Sequence, residues 1–198
     1  LQETGARYRL ELVDFKKQVQ RSPEYLTLNP NGRVPTLIED GFVMYEAAAI
    51  TMYIADQYGE AQLAPPPATL SRARYYQWMA YLTNSVQEAL NQWFHPDHFV
   101  NGTQTESAFK QNAEKRLEKM WSNLDEALSK SPYLLGDRFS ACDAYLFFLT
   151  CWQTRLKKSM IRERLHLARF FETVKHRPSV RRTLEAEGIS SWYSINND

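Results

Sequence analysis

The stretch Asn29-Pro30-Asn31-Gly32-Arg33-Val34-Pro35-Thr36-Leu37 decides the fold of this chain, together with Asp40-Gly41 and Tyr45-Glu46-Ala47-Ala48-Ala49-Ile50 just after it. It reads as a loop that ends in a Val-Pro bond, followed by two short strands joined by an Asp-Gly turn of the hairpin type. A helix then opens at the acidic residue Glu46. This order of elements outlines a small-molecule site.

Flanking patterns extend this unit in both directions. Tyr8 to Phe15 alternates like a strand, and Leu1 to Gly5 reads as the last turn of a helix with a glycine stop. Ser22-Pro23-Glu24 predicts the start of a short helix, with serine as the cap and proline at the first helical position. The helix that opens at Glu46 should end at Tyr58, because Gly59 follows.

Three consecutive prolines, Pro65 to Pro67, mark the clearest break in composition, because they cannot sit inside a helix and they stiffen what they connect. We therefore predict a first domain over residues 1–61, a Pro-rich linker over 62–70 and a second domain over 71–198. The second domain shows no strand signal.

Apolar residues at the 3–4 spacing of amphipathic helices predict two long helices in the second domain. They are Tyr75, Trp78, Met79, Leu82, Val86 and Trp93 in the first, and Ala113, Leu117, Met120, Trp121, Leu124 and Leu128 in the second. The run from Ala144 to Leu149 is apolar on every side, which predicts a central helix packed all round. Two further helices are expected near Arg162–Lys175 and Pro178–Glu187.

Composition limits the partners and the compartment. The net charge is +1, from 24 basic and 23 acidic residues, so there is no global field that would gather nucleic acid or an anionic membrane. No apolar run reaches the roughly 20 residues that span a bilayer, and the first residues show no secretion signal. We therefore expect a cytoplasmic protein with no nucleic-acid partner and no membrane partner.

The two cysteines are predicted to be structural. Cys142 and Cys151 lie nine residues apart in one predicted helix, which separates them by roughly 13 Å along the axis. They cannot form a disulfide with each other, and we interpret each as a small buried apolar residue in a reducing compartment.

Two polar clusters are assigned to folding and to a solvated loop. Ser140-Ala141-Cys142-Asp143 reads as a capping box, in which the serine caps a helix and Asp143 reaches back to the serine N–H. His95-Pro96-Asp97-His98 offers two imidazoles and a carboxylate, but Pro96 should break any helix that could align them, and neither cysteine is nearby. We therefore expect no metal site.

The opening motifs resemble those of the glutathione S-transferase superfamily, whose members read roughly Asn-Pro-x-Gly-x-Val-Pro-x-Leu, then Asp-Gly, then Glu-Ser-x-Ala-Ile. The stretch Leu135-Gly136-Asp137-Arg138-Phe139-Ser140-Ala141-Cys142-Asp143-Ala144-Tyr145 matches a second family feature, so the resemblance covers almost the whole chain. It implies an α/β thioredoxin-like N-terminal domain followed by an all-α C-terminal helical domain. The chain looks nearest to bacterial members of the beta type.

This resemblance implies where glutathione would bind. The Val34-Pro35 bond should be cis, which would turn the valine N–H and C=O toward the cysteinyl backbone of the tripeptide. The helix N-terminus at Glu46-Ala47 would hold the γ-glutamyl carboxylate, and Glu46 would pair with the ligand's ammonium group. The alternative for Glu46 is a favourable interaction with the helix dipole alone.

The same resemblance gives candidates for the glycyl carboxylate of glutathione. Arg33 matches by its position within the motif, and Lys16-Lys17 match more loosely. For Lys17 and its neighbour, a role as solvated loop charges remains an equal alternative.

Three departures from the family pattern concern catalysis. Ala47 replaces the family's serine, and a hydrogen bond to a charged group is worth about 1.5–3 kcal/mol, so glutathione binding should be about ten- to a hundredfold weaker. Gln87 and Glu88 align with the histidine and lysine of beta-type enzymes. We also expect that the natural protein begins earlier, with the first strand of the sheet and the catalytic tyrosine, serine or cysteine, so the catalytic residue is unknown.

The function expected from this resemblance is a glutathione transferase that attacks a hydrophobic electrophile with the glutathione thiolate, working as a homodimer in detoxification. Glutathione would be the cosubstrate. Tyr75, Trp78 and Trp152 could line the wall for the electrophile, and core packing explains them at least as well. Two rivals remain: a non-catalytic glutathione-binding or ligand-binding module of the same fold, and a glutathione-dependent disulfide reductase or isomerase.

Overall fold

The computed structural model describes residues 1–153 and 160–188. Two strands, β1 (Thr36–Glu39) and β2 (Phe42–Tyr45), form an antiparallel hairpin in the described ranges. The α-helices in these ranges are α1 (Pro23–Leu28), α2 (Ala47–Gln57), α3 (Leu70–Tyr81), α4 (Glu88–Phe94), α5 (Thr103–Leu128), α6 (Ala141–Gln153), α7 (Leu165–Lys175) and α8 (Pro178–Ala186). The chain forms two compact units that divide between Ala64 and Pro65, and residue 2 groups with the second unit.

The first unit is built on the hairpin, and its local signals work as predicted. Ser22 caps α1 by accepting a hydrogen bond from the Tyr25 N–H at 3.2 Å, and Pro23 occupies the first helical position. The turn between the strands uses Asp40 and Gly41 with φ of 48° and 83°, which is the left-handed pair that a two-residue hairpin turn requires.

The predicted strand over Tyr8–Phe15 is wrong. The structure shows no strand in that segment, and the side chains of Leu10 and Leu12 are 58% and 83% exposed. A strand is stable only when a neighbour satisfies its backbone hydrogen bonds, and the hairpin is the only sheet in the described ranges. Alternation alone therefore does not form a strand here.

The second unit is helical, and its core lies between α3, α5, α6 and α7. Fully buried side chains of α5 follow the predicted 3–4 spacing, namely Leu117, Trp121, Leu124 and Leu128. A π-helical segment, Leu82–Gln87, joins α3 to α4 without a break, so the first predicted long helix contains a wider turn in its middle.

Helix α6 is central but is not packed all round, which corrects the prediction. Leu146 and Leu149 are fully buried, whereas Ala144 is exposed and Phe148 is 42% exposed. Positions four residues apart lie on the same face of a helix, so these two residues form one open stripe. The apolar run contains an exposed face that hydrophobicity alone cannot reveal.

The start of α6 depends on a buried carboxylate, that of Asp143. Asp143 accepts hydrogen bonds from the N–H groups of Ser140 at 2.8 Å and Leu134 at 2.9 Å, and from the Ser140 hydroxyl at 2.6 Å. The predicted reach of Asp143 back to Ser140 is confirmed, but the serine hydroxyl donates to this carboxylate rather than capping a backbone N–H. Burial raises the pKa of Asp143 to about 6, although these hydrogen bonds lower it.

Helix α7 receives its cap from α5. The Asp125 carboxylate accepts hydrogen bonds from the N–H groups of His166 at 2.9 Å and Leu167 at 2.8 Å, near the start of α7. These are among the N–H groups that have no partner within the helix itself. Asp125, which is distant from α7 in sequence, therefore caps the N-terminus of that helix.

We expect Asp125→Ala to lower the free energy of unfolding by about 1–3 kcal/mol, because two N–H donors lose a charged acceptor. Urea denaturation monitored by circular dichroism measures this change. Glu126→Ala is the matched control, since it removes an exposed carboxylate from the next position of α5, and it should change stability by no more than about 0.5 kcal/mol. Equal losses in both variants would contradict a capping role for Asp125.

Both cysteines are buried, as predicted. Cys142 packs with its Sγ 3.5 Å from the Tyr75 carbonyl oxygen, and burial raises the pKa of both thiols. Among the described residues, no helix has the length and apolar character that a bilayer span requires.

Candidate functional site

The candidate site lies at the open end of the β1–β2 hairpin, in the first unit. Thr36 pairs with Tyr45 at this end, so the loop that enters β1 and the helix that leaves β2 are neighbours. Paired residues of antiparallel strands have Cα atoms about 4.5–5.5 Å apart. The hairpin register therefore brings the Val34-Pro35 bond close to Glu46 and the first turn of α2.

The Val34-Pro35 peptide bond is cis, which confirms the prediction. Within the described part of the chain, neither the N–H nor the C=O of Val34 is hydrogen-bonded, and the residue is 43% exposed. A main-chain donor and acceptor that face no protein partner can pair with an extended ligand as an added strand would.

Glu46 precedes α2 with a backbone conformation that is uncommon for a residue with a side chain. Its φ is 74° and its side chain is exposed and does not cap the helix. Left-handed conformations in residues other than glycine are costly and cluster at functional sites. Glu46 thus holds its carboxylate free beside the first N–H groups of α2, which include that of Ala47.

Two side chains that sequence reasoning missed brace the loop before Val34. The Tyr25 hydroxyl donates to the Arg33 carbonyl oxygen at 2.8 Å and lies 2.9 Å from the Thr36 hydroxyl. The buried Asn29 side chain donates to the same carbonyl at 2.7 Å and accepts from the Asn31 N–H at 3.0 Å. The position of Asn29 at the start of the motif could have indicated its role in the loop. No pattern in the residues around Tyr25 indicated that its hydroxyl would reach this loop.

Gly32 is required where the loop passes the preceding turn. A Cβ at this position would lie 2.8 Å from Arg21 Nη1 and 2.9 Å from the Gln20 carbonyl oxygen, and φ is +57°. Contact with backbone at that distance cannot be relieved by a side-chain movement, so only glycine fits.

The basic candidates lie at the surface. Arg33 is exposed, with its carbonyl oxygen held by Tyr25 and Asn29. Lys17 is exposed and its Nζ lies 3.7 Å from Asp14 Oδ2, so Asp14 competes for its charge. The roles of Arg33, Lys16 and Lys17 toward a carboxylate stay predictions.

In the second unit, Gln87 and Glu88, which align with the histidine and lysine of beta-type enzymes, each accept a hydrogen bond from another side chain. Gln87 Oε1 accepts a hydrogen bond from the Tyr145 hydroxyl at 2.5 Å, and Glu88 Oε1 accepts from Gln92 Nε2 at 3.3 Å. Gln87 ends the π-helical segment, and such wider turns occur frequently at functional sites.

An aromatic cluster formed by Phe94, Phe148 and Trp152 lies on the same unit. The Trp152 ring centroid is 6.0 Å from that of Phe94 and 5.2 Å from that of Phe148, both with edge-to-face geometry. Phe148 is the residue that α6 leaves exposed. Tyr75, by contrast, is fully buried and belongs to the core.

Pro96 was expected to break any helix that could align His95, Asp97 and His98, and α4 does end at Phe94, but the three side chains still lie close together. Pro96 begins a short 3₁₀ helix, Pro96–His98, and potential ligand atoms of the three side chains all lie within 4.8 Å of one another. Proline suits the first position of a helical turn, since its missing N–H would be unpaired there anyway.

Known families match both units. Residues 1–56 match the glutathione S-transferase N-terminal domain model, and residues 76–178 match the C-terminal domain model. Glutathione S-transferase GstA of Escherichia coli O157:H7 is 33% identical over 192 residues, which cover 96% of this chain and 91% of that protein. The chain belongs to the glutathione S-transferase family.

Solved structures of this family have the same fold. A Sulfitobacter glutathione transferase homologue with bound glutathione has a TM-score of 0.83 and 25% identity, covering 94% of this chain and 89% of the other. A beta-class glutathione S-transferase of Sphingomonas chungbukensis has a TM-score of 0.82 and 30% identity, with coverages of 95% and 90%. The thioredoxin-like N-terminal domain with a small sheet and the helical C-terminal domain are thus confirmed.

Proposed function

We propose that this chain is a glutathione transferase that transfers the glutathione thiolate to a hydrophobic electrophile, with glutathione bound at the open end of the hairpin. One observation carries the location of the site: Val34 is 43% exposed, and its main-chain N–H and C=O have no hydrogen-bond partner among the described residues. Relatives named as glutathione S-transferases, and a homologue solved with bound glutathione, support the ligand.

The tripeptide offers groups that suit each part of this site. Its cysteinyl N–H and C=O would pair with the Val34 main chain, as in strand addition. Its γ-glutamyl carboxylate would lie at the first turn of α2, where free N–H groups and the helix dipole favour an anion, and its ammonium would pair with Glu46. Arg33, with Lys17 as a weaker candidate, would attract the glycyl carboxylate. Val34, Pro35, Glu46 and Ala47 therefore form the core of the proposed binding site.

The aromatic cluster of Phe94, Phe148 and Trp152 supports the proposal that the electrophilic substrate has an apolar body. The cluster includes a Phe148 ring that is 42% exposed, and exposed aromatic surface on a soluble protein commonly binds apolar groups. The reaction is attack by a thiolate, so the protein must favour ionisation of the glutathione thiol. We assign detoxification of such electrophiles as its role.

A homodimer in the cytoplasm is the state we propose for the protein. Helix α3 exposes Leu70 at 91% and Tyr76 at 52%, and apolar side chains of this size on one helix favour contact with a second chain. Cys142 and Cys151 are both buried, as small apolar residues of a protein in a reducing compartment would be.

Two measurements on the full-length protein test the proposed function. Isothermal titration calorimetry with glutathione should show one site per chain, and steady-state assays with chlorodinitrobenzene should show glutathione-dependent conjugation. Binding without turnover would favour the non-catalytic module, and reduction of a mixed disulfide without conjugation would favour the reductase. No heat of binding at millimolar glutathione would contradict the proposed site itself.

Ala47→Ser should tighten glutathione binding by about tenfold or more, because it adds a hydroxyl donor to the charged carboxylate at the first turn of α2. Titration calorimetry of both proteins gives the ratio of dissociation constants. Ala61→Ser adds the same hydroxyl in the turn after α2 and should leave the affinity unchanged. If Ala47→Ser and Ala61→Ser bind glutathione equally well, the γ-glutamyl carboxylate does not contact position 47.

A further inference from the structure

Two imidazoles and a carboxylate form a cluster directly after α4 that the glutathione site does not use. Potential ligand atoms of His95, Asp97 and His98 lie within 4.8 Å of one another, and all three side chains are exposed. We propose that this cluster is a binding site for a divalent first-row transition metal ion that prefers nitrogen ligands. The site would be independent of glutathione.

The backbone under the cluster is fixed by consecutive hydrogen bonds. The His95 N–H donates to the Asn91 carbonyl oxygen at 2.8 Å, and the His98 N–H donates to the His95 carbonyl oxygen at 3.1 Å. The Phe99 and Val100 N–H groups both donate to the carbonyl oxygen of Pro96, at 2.9 and 3.0 Å, and Pro96 is buried. Because the turn is already formed, binding an ion costs little ordering of the main chain.

The turn brings the two histidines together. His95 immediately precedes the 3₁₀ helix and His98 ends it, and their rings lie parallel, with centroids 5.0 Å apart and an angle of 11° between them. Asp97 Oδ2 lies 3.8 Å from His98 Nε2.

Side-chain rotations complete the ligand set. Zinc–nitrogen and zinc–oxygen bonds of about 2.0–2.2 Å place the ligand atoms of a tetrahedral site about 3.3 Å apart. The ligand atoms lie within 4.8 Å of one another and must approach to that distance. Each imidazole nitrogen binds a metal in the plane of its ring, so the stacked His95 and His98 rings must also turn out of their parallel arrangement. Asp97 and His98 are 65% and 59% exposed, so their side chains are free to rotate, and water can fill the remaining position.

The donor set selects the class of metal. Imidazole nitrogen suits zinc, copper, nickel and cobalt, whereas magnesium and calcium prefer sites made of oxygen alone. The carboxylate of Asp97 adds a negative charge that offsets part of the charge of the ion. We therefore expect Zn²⁺ and Ni²⁺ to bind and Mg²⁺ to leave the cluster unaffected.

Zinc titration calorimetry on the whole protein at pH 7.5, without glutathione, tests this proposal. We expect one Zn²⁺ per chain, and we expect His95→Ala and His98→Ala each to weaken binding by about tenfold or more, as the loss of one of three ligands should do. Asp97→Asn should weaken it less, because an amide oxygen still offers a neutral ligand. His176→Ala is the matched control, since it removes an exposed imidazole from the end of α7, and it should not change the affinity.

Nuclear magnetic resonance of the imidazole nitrogens gives a readout that does not depend on substitution. The chain has four histidines, and Zn²⁺ should shift the signals of two of them, the same two that disappear in His95→Ala and His98→Ala. Circular dichroism of each variant checks that the fold is kept. An unchanged zinc affinity in the two alanine variants, or shifts confined to the other histidines, would overturn the proposal.

Discussion

Asp143→Ala should lower the free energy of unfolding by about 2–4 kcal/mol at neutral pH, because it leaves the buried N–H groups of Ser140 and Leu134 without an acceptor. The Ser140 hydroxyl loses its acceptor as well. These bonds tie the loop before α6 to the first turn of that central helix, so the variant loses a link between two parts of the core. Urea denaturation of both proteins measures the loss.

Two controls separate this effect from a general loss of charge. Asp137→Ala removes an exposed carboxylate from the same loop and should change stability by about 0.5 kcal/mol or less. Ser140→Ala keeps the buried carboxylate and its two backbone donors, and it should cost less than Asp143→Ala, because it removes one of the three hydrogen bonds. A loss for Asp143→Ala no larger than that for Asp137→Ala would show that Leu134 and Ser140 find other acceptors.

The loss of unfolding free energy in Asp143→Ala should also depend on pH. Burial raises the pKa of Asp143 from 3.8 to about 6 in the folded protein, so between these values the folded state binds more protons than the unfolded state. The wild type therefore gains stability from this group as the pH falls from about 7 toward 4, and the alanine variant does not. The difference between the two proteins should be larger at pH 5 than at pH 7.5, by about 1–2 kcal/mol.

Glu46→Gln should weaken glutathione binding by about ten- to a hundredfold, because it removes the charge that pairs with the ligand's ammonium group and keeps the shape of the side chain. Glu46 makes no capping hydrogen bond, and its carboxylate is exposed at the start of α2. Titration calorimetry with glutathione measures the change. Glu60→Gln removes an exposed carboxylate from the turn after α2 and serves as the matched control.

A modified ligand sharpens this test. N-acetylglutathione lacks the ammonium group, so the wild type should bind it about ten- to a hundredfold more weakly than glutathione, and Glu46→Gln should cause little further loss. If Glu46 acts only on the helix dipole, the variant loses about 0.3–1 kcal/mol of stability and binds both ligands as the wild type does. That result would remove Glu46 from the proposed site and leave the Val34 main chain in place.

Sequence reasoning performed well where a signal is local. The Asp40-Gly41 turn, the Ser22 cap and the cis bond before Pro35 were all predicted and are all present. The turn and the cap depend on the conformational preferences of a few adjacent residues, so a short window of sequence contains the needed information. The cis bond was expected from the resemblance to the family motif. The amphipathic period of α5 is local in the same sense.

Errors arose where a residue's state depends on distant partners. The alternation at Tyr8–Phe15 predicted a strand, but a strand needs a paired neighbour that alternation cannot supply. Pro96 was expected to break any helix that could align two histidines, but it starts a 3₁₀ turn at which they lie close together. In the second case, a helix breaker at one position is a helix starter at another, and the preceding end of α4 decides which applies.

The sequence by itself determined the hairpin and most of the helices of this protein, because these follow from backbone preferences and periodicity over short distances. The family and the cis bond before Pro35 came from the resemblance of its motifs to a known family. The tertiary structure decided which side chains brace the site and cap the helices. Tyr25 reaches the Arg33 carbonyl, Asp125 caps α7 from α5, and Asp143 joins Leu134 to α6. Hydrogen bonds between residues far apart in sequence form only after the chain has folded, so no local pattern encodes them.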